Sequence, residues 1–120
     1  LKISAAHTPP PPEGFISPMT WGVESNVVER FANAGIAPAN VSFSRETWTF
    51  NFPGPPSDFV DAFRLYYGPT MNAFDAADKS GRADNLRAEL ISLFEGQSTG
   101  AGKDVTSIPA TYLVVTVSRD

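Results

Sequence analysis

The chain has 120 residues, of which 42% are hydrophobic, 12% aromatic and 18% charged, and its formal net charge is -4. This apolar content excludes an intrinsically disordered chain, and no apolar run reaches the roughly 20 residues that a membrane helix needs. The acidic balance argues against a nucleic-acid partner, and the absence of cysteine excludes disulfides and thiolate metal sites. We therefore expect one soluble domain, without a membrane or nucleic-acid partner, in a reducing compartment such as the cytoplasm.

The first 14 residues are predicted to form a proline-rich lead-in. Pro9–Pro12 lock φ and lack amide donors, which predicts an extended polyproline spacer, with docking to a proline-reading domain as the alternative. His7 is the only histidine, and we expect it on a solvated segment rather than in a catalytic site. Because the chain opens at Leu1 without an initiator methionine, we expect it to be a piece of a longer protein.

Residues 15–120 are expected to form one compact unit that begins with a helix and a strand. Apolar residues from Val23 to Phe31 recur on one helical face, and Gly35 is predicted to follow this helix as its C′ residue. Val41–Phe52 is rich in β-branched and aromatic residues, which predicts a strand. Its alternation changes parity near residues 44–47, which indicates either a β-bulge or a change of buried face.

The next segment is predicted to contain three helices. Ser57 is the expected N-cap of the first helix, and Gly68-Pro69 separates it from a short second helix that starts at Thr70. The third helix is expected to bury an apolar stripe made of Ala83, Leu86, Leu90, Leu93 and Phe94. The run Gly96–Asp104 predicts a flexible polar loop, since its glycine spacing differs from that of a phosphate-binding loop and it follows a helix.

The second predicted strand is Ala110–Arg119. Its apolar residues occur at both parities, which predicts burial on both faces and therefore an interior position in a sheet. The element order is helix, strand, three helices and strand. We therefore predict an α+β fold in which two antiparallel strands are separated by a helical insertion and the helices pack on the sheet.

The sequence assigns no catalytic, cofactor-binding or metal-binding residue, because its carboxylates are spread singly and it has no dinucleotide-binding glycine fingerprint. Aromatic residues at the ends of elements are better candidates, since Tyr and Trp suit the wall of a binding pocket as well as the edge of a core. Gly68-Pro69 is expected to turn two of these aromatic residues, Tyr66 and Tyr67, and also Met71 around one corner. The hypothetical small-molecule pocket consists of Trp21, Tyr66, Tyr67 and Met71. We also expect Trp21 and its neighbours Phe15 and Met19 to be shielded from water.

Four blocks of sequence cover most of the chain and resemble a known family. They are TPPPPEGFISPMTWG at 8–22, FVDAFRLYYGPTMNAF at 59–74, GRADNLRAEL at 81–90 and ATYLVVTVSR at 110–119. In this order and at these spacings they resemble the C-terminal part of class I S-adenosylmethionine-dependent methyltransferases, of the type that includes the ubiquinone and menaquinone biosynthesis enzymes.

The resemblance implies a Rossmann-like parent enzyme that transfers a methyl group from S-adenosylmethionine to a small-molecule acceptor. It implies that Val41–Phe52 is the penultimate strand and Ala110–Ser118 the last strand, and that the Ser17–Gly22 loop and the Tyr66–Met71 corner lie on the acceptor side. The family's cofactor-binding turn has no counterpart in this sequence, so the chain alone is expected neither to bind the cofactor nor to be active.

Two further expectations concern association and the alternative function. A last strand without its neighbour leaves an apolar edge, so we expect two copies of the chain to form a homodimer. The alternative function is a free-standing α+β module that binds a small apolar ligand or a protein partner without catalysis.

Overall fold

The computed structural model describes residues 1–100 and 104–119, which form a small α+β fold. Five α-helices lie within these ranges: α1 (Lys2–His7), α2 (Glu24–Asn33), α3 (Pro56–Tyr66), α4 (Gly68–Lys79) and α5 (Ala83–Gln97). The same ranges contain the strands β1 (Val41–Phe52) and β2 (Thr106–Val117) and short 3₁₀ helices at Pro18–Gly22 and Pro38–Asn40. No helix among the described residues is both long and apolar enough to cross a membrane.

The residues form two compact units, and both strands pass from one unit into the other. The first unit contains Leu1–Pro11 and Thr49–Pro109, and the second contains Pro12–Trp48 and the chain from Ala110 onward. The core of the first unit comes from α3, α4 and α5, with α1 packed against the last two. Its buried apolar residues are Val60, Ala73, Phe74, Ala77, Leu86 and Leu90.

β1 and β2 pair antiparallel in one uninterrupted register. Near one end of the ladder the Ser118 N–H donates to the Asn40 carbonyl, and near the other the Ser107 hydroxyl donates to the Asn51 amide oxygen. In both pairs the two residue numbers add to 158. The same sum holds at the strand ends, for Val41 with Val117 and for Phe52 with Thr106. An extra residue in either strand would shift this sum, so the ladder contains no β-bulge between these pairs.

The parity change in β1 is therefore a change of buried face. Directly opposite residues of an antiparallel pair share a face, so odd-numbered residues lie on one face and even-numbered residues on the other. In the second unit the half-buried odd-numbered residues are Val41, Phe43, Leu113, Val115 and Val117. In the first unit the even-numbered face supplies Thr106, which has no exposed surface, and Phe52, which stacks on Phe59 of α3. Considered unit by unit, the ribbon therefore packs through its even-numbered face in the first unit and mainly through its odd-numbered face in the second.

The prediction that the last strand lies in the interior of a sheet is wrong for the described residues, and its two faces are covered only in part. β2 begins at Thr106, and among the described residues it belongs to a sheet of only two strands. Its side chains from Leu113 to Val115 are half-buried at both parities, while Thr111, Tyr112 and Thr116 are exposed. An apolar run at both parities indicates that either face of a strand could be buried. The elements that pack against the strand determine which face is buried.

Two glycines end helices, and one of them, Gly35, stands where the sequence predicts. Gly35 has φ +83° and donates to the Ala32 carbonyl, while Ile36 donates to Phe31, which is the Schellman arrangement. Gly81, at φ +69°, ends α4 in the same way. These left-handed residues let the chain reverse directly after each helix, because glycine has no Cβ to clash there.

Several predicted helix boundaries need correction. α3 is preceded by Pro55 at the N-cap and begins with Pro56, and the Ser57 hydroxyl bonds its neighbour Asp58 instead of capping the helix. α5 runs through Gly96 to Gln97, so the predicted loop starts later. Part of that loop, residues 101–103, lies outside the described residues. Leu93, predicted in the buried stripe of α5, is 41% exposed.

Candidate functional site

The corner between α3 and α4 is built around one extended residue. Tyr67 has φ -110° and ψ 109°, closes α3 by donating to the Phe63 carbonyl, and accepts from the N–H groups of Thr70 and Met71 at the start of α4. The sequence placed the interruption at Gly68-Pro69, but both of these residues belong to the first turn of α4. Proline fits there because N–H groups in the first turn of a helix have no acceptor within the helix, so proline loses no hydrogen bond by lacking one.

The residues predicted to line a pocket at this corner are on the surface. Tyr66 is 83% exposed, Tyr67 42% and Met71 41%, so the corner presents two aromatic rings and a thioether to solvent. Tyr67 nevertheless has a fixed neighbour, since its ring meets the Phe63 ring edge-on at a centroid distance of 5.2 Å. The corner is therefore an apolar surface with one anchored ring.

An aromatic cluster lies directly behind Tyr67 in the first unit. Phe63 contacts Phe59 and Phe94 edge-on at 5.0 and 5.4 Å, and Phe59 stacks on Phe52 of β1 at 4.8 Å. Rings at these separations and angles attract each other beyond the burial of their area. Periodicity assigns each ring to an element but contains no sign that α3, α5 and β1 bring them together.

Two arginines of the first unit link the helices that surround this cluster. Arg87 of α5 donates two hydrogen bonds to Asp61 of α3, at 2.9 and 2.8 Å, and these bonds lower the pKa of Asp61 below its ordinary value of 3.8. Arg64 lies over the Phe74 ring at 4.5 Å and pairs with Asp78. These contacts tie α3 to α5 and to α4.

Trp21, the fourth predicted pocket residue, belongs to the second unit. The Ser17 hydroxyl caps its 3₁₀ helix by accepting from the Met19 N–H, and the Arg30 guanidinium lies 4.4 Å above the Trp21 ring while donating to Thr20. The prediction that this loop is shielded from water is wrong, because Phe15, Met19 and Trp21 are all at least half exposed. The loop is thus an ordered but solvent-facing apolar segment.

Two depressions of the described surface lie elsewhere in the first unit. One, of about 420 Å³, is lined by Pro55, Glu95 and Val105 among others. The second, of about 470 Å³, lies between Pro9 and α4, with Asp75 and Lys79 in its wall. Neither contains Tyr66, Tyr67 or Met71, so the predicted pocket has no cavity of its own among them.

His7 is the residue that sequence reasoning misjudged most. It is only 7% exposed, and its Nε2 lies 3.4 Å from Glu89 Oε1 of α5. Within the described chain its Nδ1 is buried without a hydrogen-bond partner, and no three His, Asp or Glu side chains converge as a metal site. Ile3, an apolar residue four positions before His7 that packs against the core, was the available signal that α1 has an inward face.

The strand-to-helix turn of the first unit does not fit a bound S-adenosylmethionine. The one strand-to-helix turn within the first unit, Phe52–Pro56, contains three prolines that offer no N–H donors. Gly54, the glycine in this turn, is closed off, because a Cβ there would lie 2.8 Å from the Phe52 ring. This turn therefore provides no cradle for the cofactor.

No protein-family model, curated protein or solved structure matches this chain.

Proposed function

We propose that this chain forms the C-terminal, acceptor-covering part of an S-adenosylmethionine-dependent methyltransferase of Rossmann-like fold that acts on a small molecule. The observation that carries the proposal is the order of its parts. The four sequence blocks that resemble the family occur along an arrangement of two antiparallel strands separated by α3, α4 and α5. That arrangement is the one the resemblance implies for the end of such an enzyme.

The acceptor would be covered by the corner of Tyr66, Tyr67 and Met71. These side chains are exposed, and Tyr67 is anchored edge-on to Phe63, so an apolar molecule placed on the corner would replace water against a fixed surface. Excluding water and fixing the orientation of the acceptor both favour a transfer that depends on the alignment of two reactants. The cofactor, held by another part of the enzyme, supplies the electrophilic methyl group.

The Ser17–Gly22 loop of the second unit is another candidate for covering the acceptor. Met19 and Trp21 are solvent-exposed, while Ser17, Thr20 and Arg30 hold the loop in place through side-chain contacts. An exposed apolar loop that is fixed by polar contacts suits recognition, since little conformational entropy is lost on binding.

The proposal is tested in the protein that contains this chain, with radiolabelled S-adenosylmethionine and a panel of small apolar acceptors. Tyr67→Ala is expected to raise the acceptor KM about 10-fold while the cofactor KM stays unchanged, because of the two substrates only the acceptor would contact the lost ring. Leu65→Ala is the control, since Leu65 is an apolar residue of α3, two positions before Tyr67, that is largely exposed.

Two results would overturn the proposal. The first is stoichiometric, micromolar binding of S-adenosylmethionine by the 120-residue chain alone in calorimetry. The second is a gene in which no in-frame glycine-rich strand-to-helix turn precedes Leu1. Either result would favour a non-catalytic module that binds a small ligand or a protein.

A further inference from the structure

The outer edge of β2 is the side of the strand that faces away from β1. Its backbone N–H and C=O groups are hydrogen-bonded in one part of the strand and not in the other. Because Ser118 and Asn40 form a hydrogen-bonded pair, even-numbered residues of β2 bond β1, and odd-numbered residues point their N–H and C=O groups away from it. The outward groups thus belong to Ser107, Pro109 and the odd-numbered residues from Thr111 to Val117.

The first part of this edge is closed. The Ser107 N–H donates to the Ser98 hydroxyl at 3.1 Å, and its carbonyl accepts from the Thr99 N–H at 2.7 Å. Pro109 follows and has no N–H to offer, a common means of protecting an edge strand.

The second part, from Thr111 to Val117, is open. Among the described residues, no backbone hydrogen bond outside the β1–β2 ladder reaches any of its outward groups. The register is uninterrupted there, so no bulge turns the edge away from an incoming strand. Residues 110–118 also carry no charged side chain, whereas β1 carries Arg45 and Glu46 at the middle of its length. Of the two strands, β2 is the less protected.

We propose that this open edge is an interface between two copies of the chain, paired antiparallel about a two-fold axis at Val114. With the axis at Val114, Leu113 lies opposite Val115 of the second copy, and Thr111 lies opposite Val117 of the second copy. The outward N–H and C=O groups of these residues can then bond across the interface. An axis at Leu113 would instead set Val117 opposite Pro109, which has no N–H to donate. The uncharged edge meets its own copy without charge repulsion, which favours this occupant.

The pairing produces a four-stranded sheet in the order β1, β2, β2, β1. Leu113 and Val115 are half-buried in one copy, and the pairing would place each beside an apolar side chain of the other. The interface consists of one pair of strand edges, so it buries less area than a stable protein complex does. We therefore expect association at high micromolar concentration. This inference concerns the 120-residue chain and does not rest on the proposed function.

The absence of cysteine allows a direct test with single-cysteine variants. In Val114→Cys the two cysteines would face each other in a non-hydrogen-bonded pair, with Cα atoms about 4.5 Å apart, which is within disulfide range. In the control Thr116→Cys, on the same face, they would lie about 13 Å apart across the axis. Under mild oxidation Val114→Cys should form at least about 10-fold more covalent dimer than Thr116→Cys. Equal yields, or none from Val114→Cys, would overturn the proposed axis.

A second variant tests the edge itself. Val115→Pro removes an outward N–H but no bond to β1, because position 115 is in a non-hydrogen-bonded pair with Phe43, as Pro109 is with Thr49. Sedimentation of the unmodified chain at high micromolar concentration should show dimers, and Val115→Pro should sediment as a monomer with an unchanged circular dichroism spectrum. A monomeric unmodified chain, or a Val115→Pro variant that still dimerises, contradicts the proposal. If Val115→Pro unfolds, the cysteine pair decides alone.

Discussion

His7 Nε2 lies 3.4 Å from Glu89 Oε1, although 82 residues separate them in the chain. The contact joins the last residue of α1 to the middle of α5. It is long for a hydrogen bond, so the burial of the imidazole against α4 and α5 contributes more than the contact itself.

We expect His7→Ala to lower the free energy of unfolding by about 1 to 2 kcal/mol, since it removes a buried side chain that joins two elements. Urea denaturation monitored by circular dichroism measures the change. Lys2→Ala, on the exposed side of the same helix, is the control and should change stability by less than about 0.5 kcal/mol. Equal effects of the two variants would mean that α1 is not packed in solution.

Two leucines of α5 test the difference between the predicted and the observed buried stripe. Leu86 has no exposed surface, and Leu93 is 41% exposed. Leu86→Ala should destabilise the fold by about 3 kcal/mol through lost burial and a residual cavity, and Leu93→Ala by less than about 1 kcal/mol. Thermal or chemical denaturation distinguishes the two. Similar losses would show that Leu93 is covered in solution.

Gly81 and Gly96 should respond in opposite directions to alanine. Gly81 has φ +69°, where a Cβ is strained, so Gly81→Ala should destabilise the fold by about 1 kcal/mol. Gly96 lies within α5, and a Cβ there meets nothing within 4 Å, so Gly96→Ala should stabilise the fold by about 0.5 to 1 kcal/mol. Melting temperatures that move in the same direction would refute this assignment.

The Asp61–Arg87 pair predicts a pH-dependent contribution to stability. Because the hydrogen bonds from Arg87 lower the pKa of folded Asp61 below its ordinary value of 3.8, the pair stabilises the fold above that pH. The contribution is lost as the pH falls through the lowered value. With side chains 37% and 44% exposed, the pair is expected to contribute no more than about 1 kcal/mol at neutral pH.

Arg87→Gln should therefore reduce the free energy of unfolding at about pH 7, and the difference from the unmodified chain should shrink towards about pH 2. Arg82→Gln is the control, since Arg82 is an exposed arginine just before the same helix and forms no ion pair in the described structure. A difference that stays constant with pH would show that Arg87 acts through packing rather than through Asp61.

The sequence predicted most of the helices and strands. It failed where a prediction depended on which distant residues pack against a segment. Gly35 was assigned as a C′ residue from local pattern alone, because a left-handed residue after a helix favours glycine in any context. Leu93 continued the apolar spacing of α5 equally well but is exposed, since periodicity shows which side chains share a face and not how far the covering elements extend. Tyr66 and Tyr67 were identified as candidates, and Phe63, whose ring anchors Tyr67, lies only four residues earlier, whereas Phe94 of α5 reaches Phe63 only through tertiary packing.

By itself the sequence determined the α+β class, the order of the longer helices and strands, the break between α3 and α4, and the parity change in β1, because backbone sterics and hydrophobic periodicity act over a few residues. Only the tertiary structure decided between a bulge and a switch of buried face, showed that His7 is buried, and showed where along β2 the expected free edge is closed and where it is open. Each of these depends on residues brought together from distant parts of the chain, which local periodicity does not describe.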